Sequence, residues 1–288
     1  MTGLVSAHMP ELPELEVVCE VLQRRVVGQT ITAVNVIPPG GPIVARDLTH
    51  AGFEAALTGA ILTALARRGK YLVFTLQAAI APLFLVLNPK LTGRLQLASP
   101  AEKHKAKTWA IFTLSSGGQV RYLDQKQMGQ LYLTQNLASL PDYVAMGPEA
   151  LEISLEEFRQ RLKPYRGEIK GVLTRGEFVA GIGNAYADEI LWEARLHPYR
   201  RRTQLTPQEV ERLYQAMRST LLAAIEKVRA EMKERIELKP RDFLAVHMKT
   251  GQPCPRCGTP ISLVGANQRI TNFCRKCQPG GLFSDFGM

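Results

Sequence analysis

The chain has no run approaching the roughly 20 consecutive apolar residues of a membrane span. Its longest greasy stretch, residues 78–87, is interrupted by Pro82 and reads as a buried strand. The first eight residues, MTGLVSAH, lack the basic start and apolar core of a secretory leader, so a cytoplasmic location is expected. No internal repeat and no low-complexity tract is visible. Cysteine is scarce, at five in 288 residues, and without a sign of secretion a disulfide framework is not expected. What is present is 45% hydrophobic and 22% charged. That excludes compositional disorder and is enough for two cores with a small appendage.

The formal net charge is +10 and the pI about 9.5. The surplus is uneven: 13 Lys/Arg against 10 Asp/Glu in residues 1–150, and 23 against 16 in the rest. A basic excess towards one end suits a polyanion such as nucleic acid. It is also compatible with a merely basic, solvated surface.

Residues 11–27 carry Leu15, Val18, Leu22 and Val26 on one helical stripe. From Thr30 to Thr134 the pattern changes to about eight short β-branched and apolar runs, punctuated by Pro-Pro-Gly-Gly at 38–41 and Ser-Ser-Gly-Gly at 115–118. A helix-capped β-sandwich is predicted. Beyond Leu140 the text is helical. Ser154 with Glu157, and Thr206-Pro207 with Glu209, are capping boxes, and the second opens a helix to about Glu231. The predicted fold is α+β and multidomain. An extension covers 1–8, the sandwich 9–140, a helical domain 141–244 and a compact tail 245–288.

Four cysteines, Cys254, Cys257, Cys274 and Cys277, form two CxxC knuckles separated by 16 residues. The spacing fits one tetrahedral, structural Zn²⁺ that supplies the folding energy of a module too small for its own core. Two disulfides are the competing reading. Cys19 falls within the first helix and is assigned to packing. Asn267-Gln268-Arg269 lies between the knuckles, in the β-hairpin of a zinc ribbon. There Arg269 either reaches a phosphate or is simply solvated.

Met9-Pro10-Glu11-Leu12-Pro13-Glu14-Leu15-Glu16 supports two readings. Pro13 suits a first helical turn, and Glu14 and Glu16 suit its dipole. Alternatively, translation begins at Met9 and the methionine is removed, leaving Pro10 with a free secondary amine. An α-amine has a pKa of about 7.7–8.0, against about 10.4 for lysine, so a useful fraction is neutral and nucleophilic at physiological pH. Such an amine can attack a sugar C1′ and form an iminium while Glu11 transfers protons.

The start PELPELE resembles that of the formamidopyrimidine-DNA glycosylase family. The likeness extends from Met9 to Pro279. It takes in Arg67-Arg68-Gly69-Lys70-Tyr71-Leu72, the Gly181–Glu189 segment GIGNAYADE, and Asn267-Gln268-Arg269. It implies a β-sandwich, a helix–two-turn–helix domain and a zinc-finger hairpin. It further implies a base-excision enzyme with lyase activity, monomeric and nucleoid-associated, acting on damaged double-stranded DNA and not on membranes. Pro10 would be the nucleophile, Glu11 the general acid/base and Lys70 the essential lysine. Asn184 and Arg269 would hold phosphates. A non-catalytic damaged-DNA binder of the same fold is the alternative.

The sequence departs from the family at the residues that fill the gap left by a flipped base. Leu91 stands in the methionine position, Lys126 in the arginine position and Met128 in the phenylalanine position. Leucine and methionine are apolar wedges, but Lys126 lacks the planar fork that arginine offers a base. Asn88 replaces a usual histidine. Residues 236–251 leave little room for a long loop over a flipped purine. Weak discrimination among opposite bases is therefore expected, with formamidopyrimidines or abasic sites favoured over 8-oxoguanine.

Overall fold

The computed structural model describes residues 9–78, 82–265 and 270–280, which form two compact units. Residues 9–144 and 228–240 make up the first; 145–227 and 241–280 belong to the second. The extension at 1–8 and the predicted finger residue Arg269 lie outside the described residues. No helix among the described residues is long and apolar enough to cross a membrane.

In the first unit α1 (Leu12–Val26) buries the predicted stripe Leu15, Val18, Leu22 and Val26. It is followed by β1 (Ile31–Val36), α2 (Gly41–Val44), β2 (Ala45–Asp47) and α3 (Phe53–Leu57). Then come β3 (Ile61–Arg68), β4 (Tyr71–Gln77), β5 (Pro82–Asn88), β6 (Gly93–Ala98), β7 (Thr108–Leu114), β8 (Gln119–Asp124) and β9 (Gln130–Thr134). These strands form two sheets, ordered β1-β7-β8-β6 and β2-β9-β5-β4-β3. All eight predicted runs are strands. The one not predicted, β2, is three residues long, reads Ala-Arg-Asp and pairs parallel to β9 at a sheet edge. Nothing in so short a polar run marks a strand.

α1 packs on β3 and β4. The Arg67 guanidinium pairs with Glu16, and Arg229 pairs with Glu20 at 2.6 and 2.9 Å, fastening residues 228–240 to the same helix. Burial pushes the Cys19 thiol up to about 12, disfavouring the thiolate in this apolar core.

The second unit holds α4 (Leu155–Leu162), α5 (Ile169–Leu173), α6 (Asn184–Glu193) and most of α7 (Pro207–Met232). It ends in the hairpin β10 (Ser262–Val264) and β11 (Thr271–Phe273). Phe158, Phe178 and Tyr214 stack at its centre, with ring centroids 5.1 and 5.5 Å apart. Of the two predicted capping boxes, Thr206/Glu209 closes in both directions, and Ser154/Glu157 forms the N-cap bond alone. Ser154 Oγ accepts the Glu157 N–H at 3.1 Å. Thr206 and Glu209 exchange bonds of 3.2 and 2.9 Å, and Glu209 also pairs with Arg200 at 2.5 Å.

Burial raises the Glu209 carboxyl, but the Thr206 bonds and the Arg200 charge outweigh it, and the net pKa is lowered. A lowered folded-state value makes the stabilisation complete above the ordinary 4.5 and removes it as pH falls through the folded value. Glu209→Gln should therefore cost about 1 kcal/mol at neutral pH, a typical cap contribution, and progressively less in acid. Urea unfolding of both proteins across that range tests this; a pH-independent difference would refute it.

Candidate active site and metal centre

Pro10 is buried immediately before Glu11, the N-cap of α1. Proline has no N–H to lose at a helix start, and Pro13 fits the first turn for the same reason. Glu11 and Glu14 are also sealed from solvent, and Glu14 Oε2 accepts the Glu11 N–H at 2.9 Å. Pro10 and Glu14 line a small apolar pocket with Leu72, Leu87, Ile236 and Lys239. The chain after α7 thus borders the proline, which the sequence alone did not indicate.

Lys70 occupies the two-residue turn joining β3 to β4, where Arg68 pairs with Tyr71. Gly69 has φ +56°, a backbone conformation that favours glycine. Arg67 Nη1 donates to the Gly69 carbonyl at 3.1 Å, fixing the turn. Leu91 lies half-buried between β5 and β6; Lys126 and Met128 are exposed between β8 and β9. Pro10, Glu11, Lys70, Leu91, Lys126 and Met128 thus share the first unit, whereas Asn184 and the four knuckle cysteines lie in the second.

In the second unit Gly181 takes φ +100° and leads into α6. The cap is Gly183, and Asn184 is the first helical residue, its Nδ2 donating to the Ile270 carbonyl at 2.9 Å. Three residues given no role by the sequence surround this junction. Lys170 Nζ reaches Asp188 at 2.6 Å, the Thr271 hydroxyl at 2.8 Å and the Ile270 carbonyl at 3.0 Å. Asp188 also meets His247 Nδ1 at 2.8 Å and the Asn272 N–H at 3.2 Å. Glu189 accepts the N–H groups of Ala245, Val246 and His247 at 2.8 to 2.9 Å. Burial nevertheless leaves its pKa raised against those three donors. The available signal was the acidic pair itself: two carboxylates in an apolar helix need partners.

The Sγ atoms of Cys254, Cys257, Cys274 and Cys277 all lie within 4.8 Å of one another. Cys254 to Cys277 is 3.9 Å and Cys257 to Cys274 is 3.5 Å. A disulfide requires about 2.05 Å. Four thiolates about 2.3 Å from a tetrahedral zinc would be about 3.8 Å apart, so the set fits a closed, structural metal site. Val246, Ile261 and Trp192 pack around it, and Trp192 Nε1 donates to Cys254 Sγ at 3.4 Å.

Comparison with known proteins gives three matches in order. The formamidopyrimidine-DNA glycosylase N-terminal domain matches residues 9–131, its H2TH domain residues 144–235, and a zinc finger found in FPG and IleRS residues 251–280. The formamidopyrimidine-DNA glycosylase of Symbiobacterium thermophilum is 39% identical over 283 residues, covering 94% of this chain and 90% of the relative. That of Pelotomaculum thermopropionicum is 35% identical over 94% and 99%. The Lactococcus lactis Fpg in complex with DNA containing an abasic site superimposes with a TM-score of 0.81 at 29% identity, over 94% and 100% of the two chains. A MutM complex with DNA containing carbocyclic 8-oxo-G gives 0.81 at 31% over the same shares. Sheet domain, helical domain and four-cysteine finger therefore occur here in the order and with the folds of one set of DNA repair enzymes, and the chain belongs to the formamidopyrimidine-DNA glycosylase family.

Proposed function

We propose that the chain excises oxidised or ring-opened bases from double-stranded DNA and then cleaves the strand, with the Pro10 amine as nucleophile. The observation that carries this reading is Pro10 directly before the buried N-cap Glu11, lining a small pocket together with Glu14. The Pro10 nitrogen attacks C1′, the C1′–base bond breaks, and the base leaves with a proton. Glu11 protonates the opening sugar. The iminium that results acidifies C2′, so the 3′-phosphate and then the 5′-phosphate leave by β,δ-elimination. Leu91, Lys126 and Met128 fill the gap left by the flipped nucleotide. Lys70, Asn184 and Arg269 hold phosphates. An amide NH₂ has two hydrogens, so Asn184 keeps one for a phosphate oxygen beside its bond to Ile270. The four cysteines hold one zinc, which shapes the finger and takes no part in the reaction.

With residues 1–9 attached, the Pro10 nitrogen is an amide and cannot attack. Borohydride should therefore trap the protein on abasic-site DNA only when Pro10 is the first residue. Pro10→Gly should retain partial trapping through its primary amine. Equal trapping with and without the preceding residues would end the proposal and favour a non-catalytic damaged-DNA binder.

Metal analysis should return about one zinc per chain. Cys257→Ser should release it and weaken DNA binding while the first unit's thermal transition persists. A metal-free protein with two disulfides would refute the assignment.

Alanine at Lys70, Asn184 or Arg269 should each weaken binding to all duplexes and lower the salt slope by about one unit. An unchanged slope with altered base preference would show that these residues read bases instead.

A further inference from the structure

The two loops carrying Leu91 and Met128 meet at one buried carboxylate. β6 and β8 pair with Gly93 opposite Asp124, and β5 and β9 pair with Asn88 opposite Gln130. The connections 89–92 and 125–129 therefore cross side by side from one sheet to the other. Asp124, the last residue of β8, is only 1% exposed. Its Oδ1 accepts the Lys126 N–H at 3.1 Å and the Thr92 hydroxyl, and its Oδ2 accepts the Gly129 N–H at 2.7 Å and the Tyr122 hydroxyl at 3.1 Å. Thr92 Oγ1 also accepts the Lys126 N–H, at 3.0 Å. The Asp124 carbonyl accepts Trp109 Nε1 at 2.6 Å.

Thr92 follows Leu91 directly, while Lys126 and Gly129 bracket Met128. One side chain thus ties both loops at their roots. The fit leaves no slack. A Cβ on Gly129 would lie 2.0 Å from the Tyr122 hydroxyl, and one on Gly93 would lie 2.6 Å from it. Met128 itself is 46% exposed. An exposed apolar tip on a rigid, polar-anchored loop suits insertion, because nothing of the loop must be ordered at the moment of contact.

We propose that Asp124 is a positioning residue that joins the Leu91 loop and the 126–128 loop into one preorganised wedge, so that both apolar side chains enter the base stack together. This rests on the reading of Leu91, Lys126 and Met128 as the gap-filling residues. Asp124 touches no DNA. An amide in its place would set an NH₂ against groups that are themselves donors and release one loop from the other.

The test uses the chain with Pro10 as first residue. Single-turnover base release is measured on duplex DNA carrying a fluorescent base opposite the lesion, and borohydride trapping on a single-stranded abasic oligonucleotide, where no stack need be entered. Asp124→Asn should slow duplex excision about 10- to 100-fold and suppress the unstacking signal, while trapping on the single strand stays within about twofold. Thr92→Val, nearly isosteric, serves if the asparagine variant fails to fold. It should slow duplex excision by itself and add nothing to Leu91→Ala, a non-additivity that general destabilisation would not produce.

Wild-type duplex rates for Asp124→Asn or Thr92→Val, with Leu91→Ala slow, would overturn the positioning role alone. So would equal losses on duplex and single strand, or a full additive cost of Thr92→Val on Leu91→Ala. Wild-type rates for both Leu91→Ala and Met128→Ala would instead overturn the wedge reading beneath it.

Discussion

Carboxylates sealed from water hold the irregular segments of both units to their scaffolds. An ionised carboxylate is acceptor-only and loses several kcal/mol on burial unless its lone pairs are filled. Strand and helix interiors cannot fill them, because their N–H groups are already committed. Loop N–H groups can. Glu14 takes one at the start of α1, Asp124 takes two from the 125–129 connection, and Glu189 takes three from residues 245–247. Each carboxylate sits at the end of a strand or within a helix, and each fixes a stretch of chain with little apolar surface of its own. At Glu189 burial leaves the carboxyl raised despite three donors, so burial opposes the arrangement that the donors support.

The same constraint bears on Pro10 as the proposed nucleophile. A nucleophilic α-amine must be rigid to react repeatedly at one sugar carbon, yet chain ends fray. Placing the proline directly before a buried N-cap removes that freedom. The return bond from Glu14 to the Glu11 N–H fixes the peptide that follows, and Pro13 starts the helix without wasting a donor. Residues that read as ordinary helix-start chemistry are thus compatible with catalysis. The two readings of PELPE are therefore not rivals: on the proposed mechanism, the helix start would order the amine.

The sequence was most readable where the signal is local. The strands, Thr206/Glu209 and the paired CxxC motifs are patterns spanning a few residues and form as expected, and Ser154 caps its helix without the return bond from Glu157. Three-residue β2 escaped because an edge strand of Ala-Arg-Asp carries no periodicity. The bond from Asn184 to Ile270 spans 86 residues, and the N-cap before it is Gly183, so no local pattern showed what the amide holds. Asp124 was invisible as an anchor because its partner Thr92 lies 32 residues away and its other donors are backbone groups, which leave no trace in side-chain identity. Lys170, Asp188 and His247 were missed for the same reason, their contacts spanning 18 to 101 residues.

The finger shows how these two kinds of constraint divide the work. Its knuckles are local, and a metal can close them because each CxxC turn presents two thiolates to one ion. Its attachment is not local. The strand Thr271–Phe273 is held to α6 through Asn272 on Asp188, and to α5 through Thr271 on Lys170. The segment before the first knuckle is held through Glu189. A metal alone would give a folded hairpin with no fixed orientation. The carboxylates alone would orient Thr271–Phe273 and residues 245–247, next to a small cluster of Val246, Ile261, Trp192 and the cysteines. Only the two together fix the hairpin's root relative to Asn184, and both constraints act within a single compact unit. That shared unit explains why the finger's chemistry is written partly in a helix some 70 residues before it: the metal specifies the module's shape, and two acidic residues of GIGNAYADE specify where it stands.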